Sequence, residues 1–208
     1  SLIEDMTISG EIKLPQGVAP EGGIEVTVTA TDESGNSESC IRIIKEGESS
    51  VEYYLNVPHN NYNSGYKVRY SVTSDNYATI GYYSENGTKV LSDMATLVDV
   101  SSENAEDINL MLIEKKVISG IISLPDGAAK EGGLTVTVRA SSQLFSVDDK
   151  VEVVIPEGES ETSYSLKVSP NVEGSDYILF YQVNDDAYVG TGYYNTAGAV
   201  VDIKMATP

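Results

Sequence analysis

The sequence is short of the residues that most enzyme and metal chemistry relies on. It has one histidine (His59), one cysteine (Cys40) and no tryptophan. A lone cysteine excludes an intrachain disulfide. One histidine, set in PHNNYNSG, leaves no Ser-His-Asp set, Cys-His pair or histidine metal cluster to assemble. Carboxylates are plentiful, but no spacing marks two of them as partners in a cleft. An enzyme is therefore not expected. Basic residues are scarce as well: 13 Lys and Arg stand against 32 Asp and Glu, a formal net charge of −19. The acid excess runs through both halves of the chain and forms no tail. Such a surface repels nucleic acid and anionic lipid, which are held by clustered Lys and Arg. Neither partner is expected, and solubility is the simplest consequence of the charge. No apolar run approaches the ~18 residues of a membrane span, so membrane insertion is not expected either.

What the chain does have is one pattern stated twice. EGGIEVTVTA (Glu21 to Ala30) returns as EGGLTVTVRA (Glu131 to Ala140), and ISGEIKLPQG (Ile8 to Gly17) returns as ISGIISLPDG (Ile118 to Gly127), each 110 residues on. KEGES from Lys45 then matches PEGES from Pro156 at an offset of 111. That places one inserted residue near Ile155 and gives Cys40 the counterpart Lys150. The longer offset holds onward: Tyr53 meets Tyr164, Tyr70 meets Tyr181, and Tyr82-Tyr83 meets Tyr193-Tyr194. Met94-Ala95-Thr96 also meets Met205-Ala206-Thr207. A repeat of roughly 100 residues is long enough to bury its own core, so two domains are expected, residues 1–115 and 116–208.

Within each copy the apolar residues alternate with period two, which puts one strand face in a core and the other in water. The aligned sets are Ile8, Ile12 and Leu14; Ile24, Val26, Val28 and Ala30; Ile41 and Ile43; Val51, Tyr53, Leu55 and Val57; and Tyr66, Val68, Tyr70 and Val72. Ile80 to Tyr83, Leu97 to Val100, and Ile108, Leu110 and Leu112 follow. Turn signals such as Pro-Gln-Gly, Glu-Gly-Gly and Glu-Asn-Gly separate the runs. No window carries a convincing helical period. An all-β fold of two tandem antiparallel β-sandwiches is expected. The Glu114-Lys115-Lys116 connection is too short to let the domains swing freely, so a rod of repeats is expected. SLIED at residues 1–5 aligns with MLIEK at 111–115 and reads as the end of a preceding repeat's last strand. Pro208 aligns with Leu97, so the second sandwich is expected to lack its last strands and to leave an edge or an apolar strip open. Further repeats of the same chain are the expected neighbours.

The order ISGxIxLPxG, EGGxxVTVxA, a strand after EGES, Tyr-rich strands and a closing DINLML run resembles bacterial extracellular Ig-like repeats. The nearest flavour is the carboxypeptidase-regulatory-like, or prealbumin-like, sandwich. The resemblance covers nearly the whole chain and rests on pattern and turn placement. It implies an extracellular or cell-surface protein in which such modules serve as spacers, adhesive units or accessories of a secreted enzyme. The EGES-then-strand step also resembles Calx-beta modules, but their calcium ligands have no recognisable counterpart here and none is carried over.

Two sets of side chains are candidate sites. The first is exposed tyrosine. Neighbouring strand residues face opposite ways, so Tyr53-Tyr54, Tyr82-Tyr83 and Tyr193-Tyr194 should each expose one ring. Tyr54, Tyr82, Tyr83, Tyr193 and Tyr194 could then stack on a glycan or anchor a protein at the cell surface. The plainer reading is core rings and cross-strand surface pairs. The second set is acidic. Asp32, Asn36 and Glu38 alternate oxygen donors loosely as a calcium loop does, and Asp75 and Asp186 occupy equivalent turns. Solvated turns are the plainer reading, so no metal or other cofactor is expected, with calcium the one ion the pattern would admit. The reading that follows is a non-catalytic pair of stalk or adhesion modules of a secreted or cell-surface bacterial protein. The alternative is a carbohydrate-binding accessory of a secreted enzyme.

Overall fold

The computed structural model describes residues 5–60, 64–142, 149–170, 176–188 and 190–194. Leu2, Ile3 and the Met205 to Thr207 match lie outside the described residues. The chain divides into two compact units, Ser1–Lys115 and Lys116–Pro208. The architecture is all-β, two face-to-face sheets in each unit, with one 3-10 turn among the described residues, at Ser92–Met94.

The first unit contains β1 (Met6–Lys13), β2 (Ile24–Thr31), β3 (Ser37–Ile44), β4 (Ser50–Val57), β5 (Tyr66–Val72), β6 (Ile80–Tyr82), β7 (Leu97–Val98) and β8 (Leu110–Met111). One sheet has the order β4-β1-β8; the other runs β3-β2-β5-β6, with β7 also paired to β5. The alternation does what it should on most strands. Ile8, Ile12 and Leu14 of the first run, the four apolar residues of β2, and Tyr53, Leu55 and Val57 all enter one core with Tyr66, Val68, Tyr70 and Val72. β3 is the exception. Ile41 and Ile43 are 58% and 48% exposed, and Cys40 and Ile44 face the core instead. Opposite them on β2, Val28 pairs with Cys40 and Ile24 with Ile44. The core face of β2 thus sets the phase of β3 and overrides the isoleucine pair.

The sandwich is antiparallel with one departure. β8 runs parallel to β1, with Ile12 opposite Leu110 and Lys13 opposite Met111. The residues leading into it continue the seam: Ser9 N donates to Ala105 O and Ile108 N to Ser9 O. Between these points Asp107 takes φ 58°, a left-handed conformation that Asp tolerates better than most. The ladder breaks there, and side chains fill in. Asn104 Oδ1 accepts the Thr7 amide and Asn109 Oδ1 the Glu11 amide, both at 2.9 Å. Two fully buried tyrosines fasten the segment from beneath. Tyr53 Oη donates to Ile108 O at 2.6 Å, and Ile113 N donates to Tyr70 Oη at 3.0 Å. Gly10 permits the close approach, because a Cβ there would run into the Ile108 carbonyl.

The second unit contains β9 (Lys116–Ser123), β10 (Leu134–Ser142), β11 (Asp149–Ile155), β12 (Glu161–Val168), β13 (Tyr177–Val183) and β14 (Thr191–Tyr193). Its four-stranded sheet, β11-β10-β13-β14, has the strand order of β3-β2-β5-β6, and β12-β9 corresponds to β4-β1. Small details recur. Ala19 N donates to Glu48 O and Ala129 N to Glu159 O; Gly23 N bonds Pro20 O and Gly133 N bonds Lys130 O. Gly23 and Gly133 both sit at φ 72°, where a Cβ would meet the Ile44 or Ile155 carbonyl within 2.8 Å. The Tyr66 hydroxyl bonds Pro58 O, as Tyr177 bonds Ser169 O. The sheet register also moves one alignment. Ala30 pairs with Glu38 and Ala140 with Asp149, and Val138 pairs with Val151 as Val28 does with Cys40. Cys40 therefore corresponds to Val151, not Lys150. The extra residue falls between Ala140 and Asp149, ahead of β11.

Tyr53→Phe leaves the Ile108 carbonyl unmet and should cost the first unit about 1–2 kcal/mol in denaturant unfolding. Tyr164→Phe, whose hydroxyl has no partner among the described residues, should cost much less. Burial pushes the Tyr70 hydroxyl up to about 12 from 10.0. A raised folded pKa gives stability that is whole below pH 10 and drains away as pH rises through about 12. An alkaline melting series should lose stability across that window, and Tyr70→Phe should remove part of the loss, the buried Tyr53 and Tyr177 hydroxyls, also pushed up by burial, keeping the rest.

Candidate functional site

The acidic candidates are kept apart by the strands that carry them. Asp32 closes the β2–β3 hairpin, where Thr31 lies opposite Lys67 of β5; Val72, just before Asp75, lies opposite Val26. Asp32 and Asp75 are therefore at opposite ends of the β2–β5 pair and cannot share an ion. The Asp32 carboxylate is already engaged within its own turn. Its Oδ1 accepts Asn36 N and its Oδ2 accepts Asn36 Nδ2, both at 2.9 Å, and these bonds hold its pKa below the usual value. Glu38 starts β3 in solvent, and Asp75 and Asp186 are exposed turn residues. In the second unit it is Asp185, beside Asp186, that caps the turn by accepting Ala187 N. Among the described residues no group of three or more His, Cys, Asp and Glu side chains converges as a metal site.

The tyrosines are scattered. Tyr54 is 53% exposed on the outer face of β4, opposite Ser9, and its hydroxyl donates to Glu52 Oε2 at 2.7 Å. Tyr53, one residue before, is in the core, so this pair divides as expected. Tyr82-Tyr83 does not. Tyr82 and Tyr83 are both half-buried, because Tyr83 leaves β6 and packs against the core of the first unit, while Tyr82 lies opposite Arg69. Tyr193 is half-buried as well, its ring 5.7 Å from that of Phe180, and Tyr194 is 47% exposed. In the first unit Tyr54 and Tyr82 belong to different sheets. Strand pairing thus assembles no shared platform of rings there.

Four features remain. A pocket of about 500 Å³ lies in the first unit beside the Gly-Gly turn, with Pro20, Thr27, Ser71 and Thr73 in its wall. Glu25 and Tyr77 are its only titratable groups, so it offers no base and nucleophile pair. Cys40 is a free, half-buried thiol that burial pushes up in pKa, the opposite of an activated cysteine. His59 Nδ1 lies 3.3 Å from Asn60 O. The neighbouring Asn60 is a hub that the sequence did not flag. Its amide donates to Ser64 O and Asp99 Oδ1, and its Oδ1 accepts Val100 N. That ties the chain before β5 to the chain after β7, a structural duty.

No family model matches the chain, and no curated protein matches it in sequence. Among solved structures it is similar to the fimbrial anchor protein Mfa2 from Porphyromonas gingivalis, with TM-score 0.42 and 9% identity over 85% of this chain and 78% of that one. It is also similar to the tip fimbrial protein Mfa3 of the same organism, with TM-score 0.37 and 8% identity over 92% and 82%. The calcium binding domain CBD12 of CALX1.1 follows, with TM-score 0.27 and 10% identity over 86% and 74%. At these values the likeness is one of all-β fold.

With Asp32 satisfied by Asn36 and Asp75 at the far end of the sheet, the acidic turns offer calcium no joint set of ligands among the described residues. Thermal melting in excess calcium and in excess chelator should give the same midpoint for each unit. A rise with calcium that Asp32→Asn removes would reinstate the loop as a site.

Proposed function

We propose that the chain is a pair of non-catalytic repeat modules, residues 1–115 and 116–208, of a secreted or cell-surface bacterial protein, acting as stalk or adhesion units. One observation carries the reading. Framework bonds recur in both units at the Gly-Gly turn and at the hydroxyls of Tyr66 and Tyr177, whereas the candidate site residues described are gathered in neither. Duplication of a frame without duplication of a site suits a spacer or a scaffold for contacts along its surface. The acidic surface and the absence of a disulfide agree with that role in a bacterium.

The second reading, a carbohydrate-binding accessory, has the Phe180–Tyr193 pair on its side, two neighbouring rings tilted by 38°, since exposed aromatic faces can receive a sugar. A glycan array and a polysaccharide pull-down with the whole chain separate the two. The expected result is no saturable retention. Specific retention that Tyr193→Ala or Tyr194→Ala abolishes would transfer the function to glycan binding.

A further inference from the structure

The pocket beside the Gly-Gly turn of the first unit is lined by polar side chains that the fold leaves unused. Its floor is the outer face of the β2–β5 pair. Thr27 lies there opposite Ser71, and Glu25 and Thr73 come next along the same face. Main-chain bonds hold both walls. On one side Val72 N donates to Thr79 O and Ala78 N to Ile113 O, which pins the turn that carries Tyr77. On the other, Gly23 N donates to Pro20 O and Gly47 N to Ala19 O. The cavity is therefore formed in advance of any ligand, and its volume of about 500 Å³ is that of a small-molecule site. Among the described residues, Glu25, Thr27, Ser71, Thr73, Tyr77 and Thr79 make no side-chain hydrogen bond, and no Lys or Arg forms an ion pair with Glu25. A preformed cavity, one free carboxylate and a set of free hydroxyls thus meet in one place.

We infer that this pocket binds an organic cation, an alkylammonium group on a short flexible stem. Charge decides first. Glu25 is the one charged side chain among the residues lining it, and the chain around it carries 32 acidic residues against 13 basic ones. Anions are repelled from such a site and cations are gathered to it. An apolar ligand would take the hydroxyls of the floor out of water and pair none of them. An ammonium donates three hydrogen bonds and accepts none, which suits a carboxylate flanked by the hydroxyl oxygens of Thr27, Ser71 and Thr73. Tyr77 adds an aromatic ring, whose face attracts cations. The second unit supplies the contrast. Thr135 stands in place of Glu25 and Lys130 in place of Pro20, although Tyr188 keeps the ring of Tyr77. Asp185 replaces Ser74, but its carboxylate accepts the Ala187 amide. The charge pattern that suits a cation is thus confined to the first unit. This inference does not depend on the modules being stalk or adhesion units. The same ammonium could come from a free amine or from a lysine side chain on a partner protein.

The test is an NMR titration of the full chain with n-butylammonium, with lysine blocked at both its amino and carboxyl ends, and with n-butanol and glucose as neutral controls. Both amines should shift the amides of Gly23, Glu25, Thr27 and Thr73 saturably, and neither neutral compound should. Glu25→Gln changes an exposed side chain and should weaken amine binding about fivefold, the worth of one exposed ion pair. Glu21→Gln, outside the pocket wall, should leave it unchanged. Tyr77→Leu should weaken binding about threefold while Tyr77→Phe retains it, because the ring and not the hydroxyl receives the cation. Tighter binding of blocked lysine than of n-butylammonium assigns the site to a partner's side chain, and equal binding assigns it to a free amine. The inference is overturned if the shifts spread evenly over the acidic surface of both units or if Glu25→Gln leaves the affinity as it was. It is also overturned if n-butanol or glucose shifts the same amides as strongly as the amines.

Discussion

A β-sandwich core stays dry only when both sheets are broad enough to cover it, and here the narrower sheet is the limiting one. In the first unit a five-stranded sheet is closed by β4-β1-β8. The third member of that layer is supplied by a segment with little regular strand of its own. That single requirement explains residues that look unrelated in the sequence. Gly10 gives up a side chain so the segment can come close, and Asp107 turns left-handed to change its phase. Asn104 and Asn109 replace backbone carbonyls where the ladder breaks, and Tyr53 and Tyr70 hold it from the core side. An unmet carbonyl or hydroxyl buried at this seam would cost as much as several good surface contacts return. The hydrogen bonds therefore select which chain segment can complete the layer, while the aliphatic side chains supply most of the driving force.

Much of this frame was legible from period and turns. The alternation in β2, β4 and β5 gave the core residues directly, since each strand has one wholly apolar face and Val, Ile and Tyr favour the pleated surface. The Gly-Gly turn was legible because only glycine suits consecutive left-handed positions beside a carbonyl. β3 was misleading for a physical reason. Ile41 and Ile43 are its most apolar alternate pair, but the strand is at a sheet edge, where one-sided pairing lets its phase follow β2. The parallel seam was not legible either. DINLML reads as an ordinary strand, and nothing in a single run of alternation says whether its neighbour runs with it or against it.

The candidate sites were the least legible part, because a site is a convergence and spacing is not. Asp32, Asn36 and Glu38 alternate as donors would, yet Asp32 and Asn36 spend their polar groups on each other. A hairpin turn and a metal loop draw on the same residue types, and only geometry separates them. The doublet rule failed for Tyr82-Tyr83 in the same way. It assumes that both residues stay in a strand, and β6 ends between them.

Where the two units differ is then more telling than where they agree. Inward positions exchange like for like: Val28 with Val138, Leu55 with Leu166, Ile44 with Ile155. Outward positions do not, as when Arg69 opposite Tyr82 gives way to Phe180 opposite Tyr193, or Thr7 and Glu11 on β1 to Val117 and Ile121 on β9. A core constrains volume and phase, so it tolerates few alternatives. A solvated face constrains almost nothing unless a partner reads it, and then it changes with the partner. The two units thus keep one core pattern in common while their outer faces diverge.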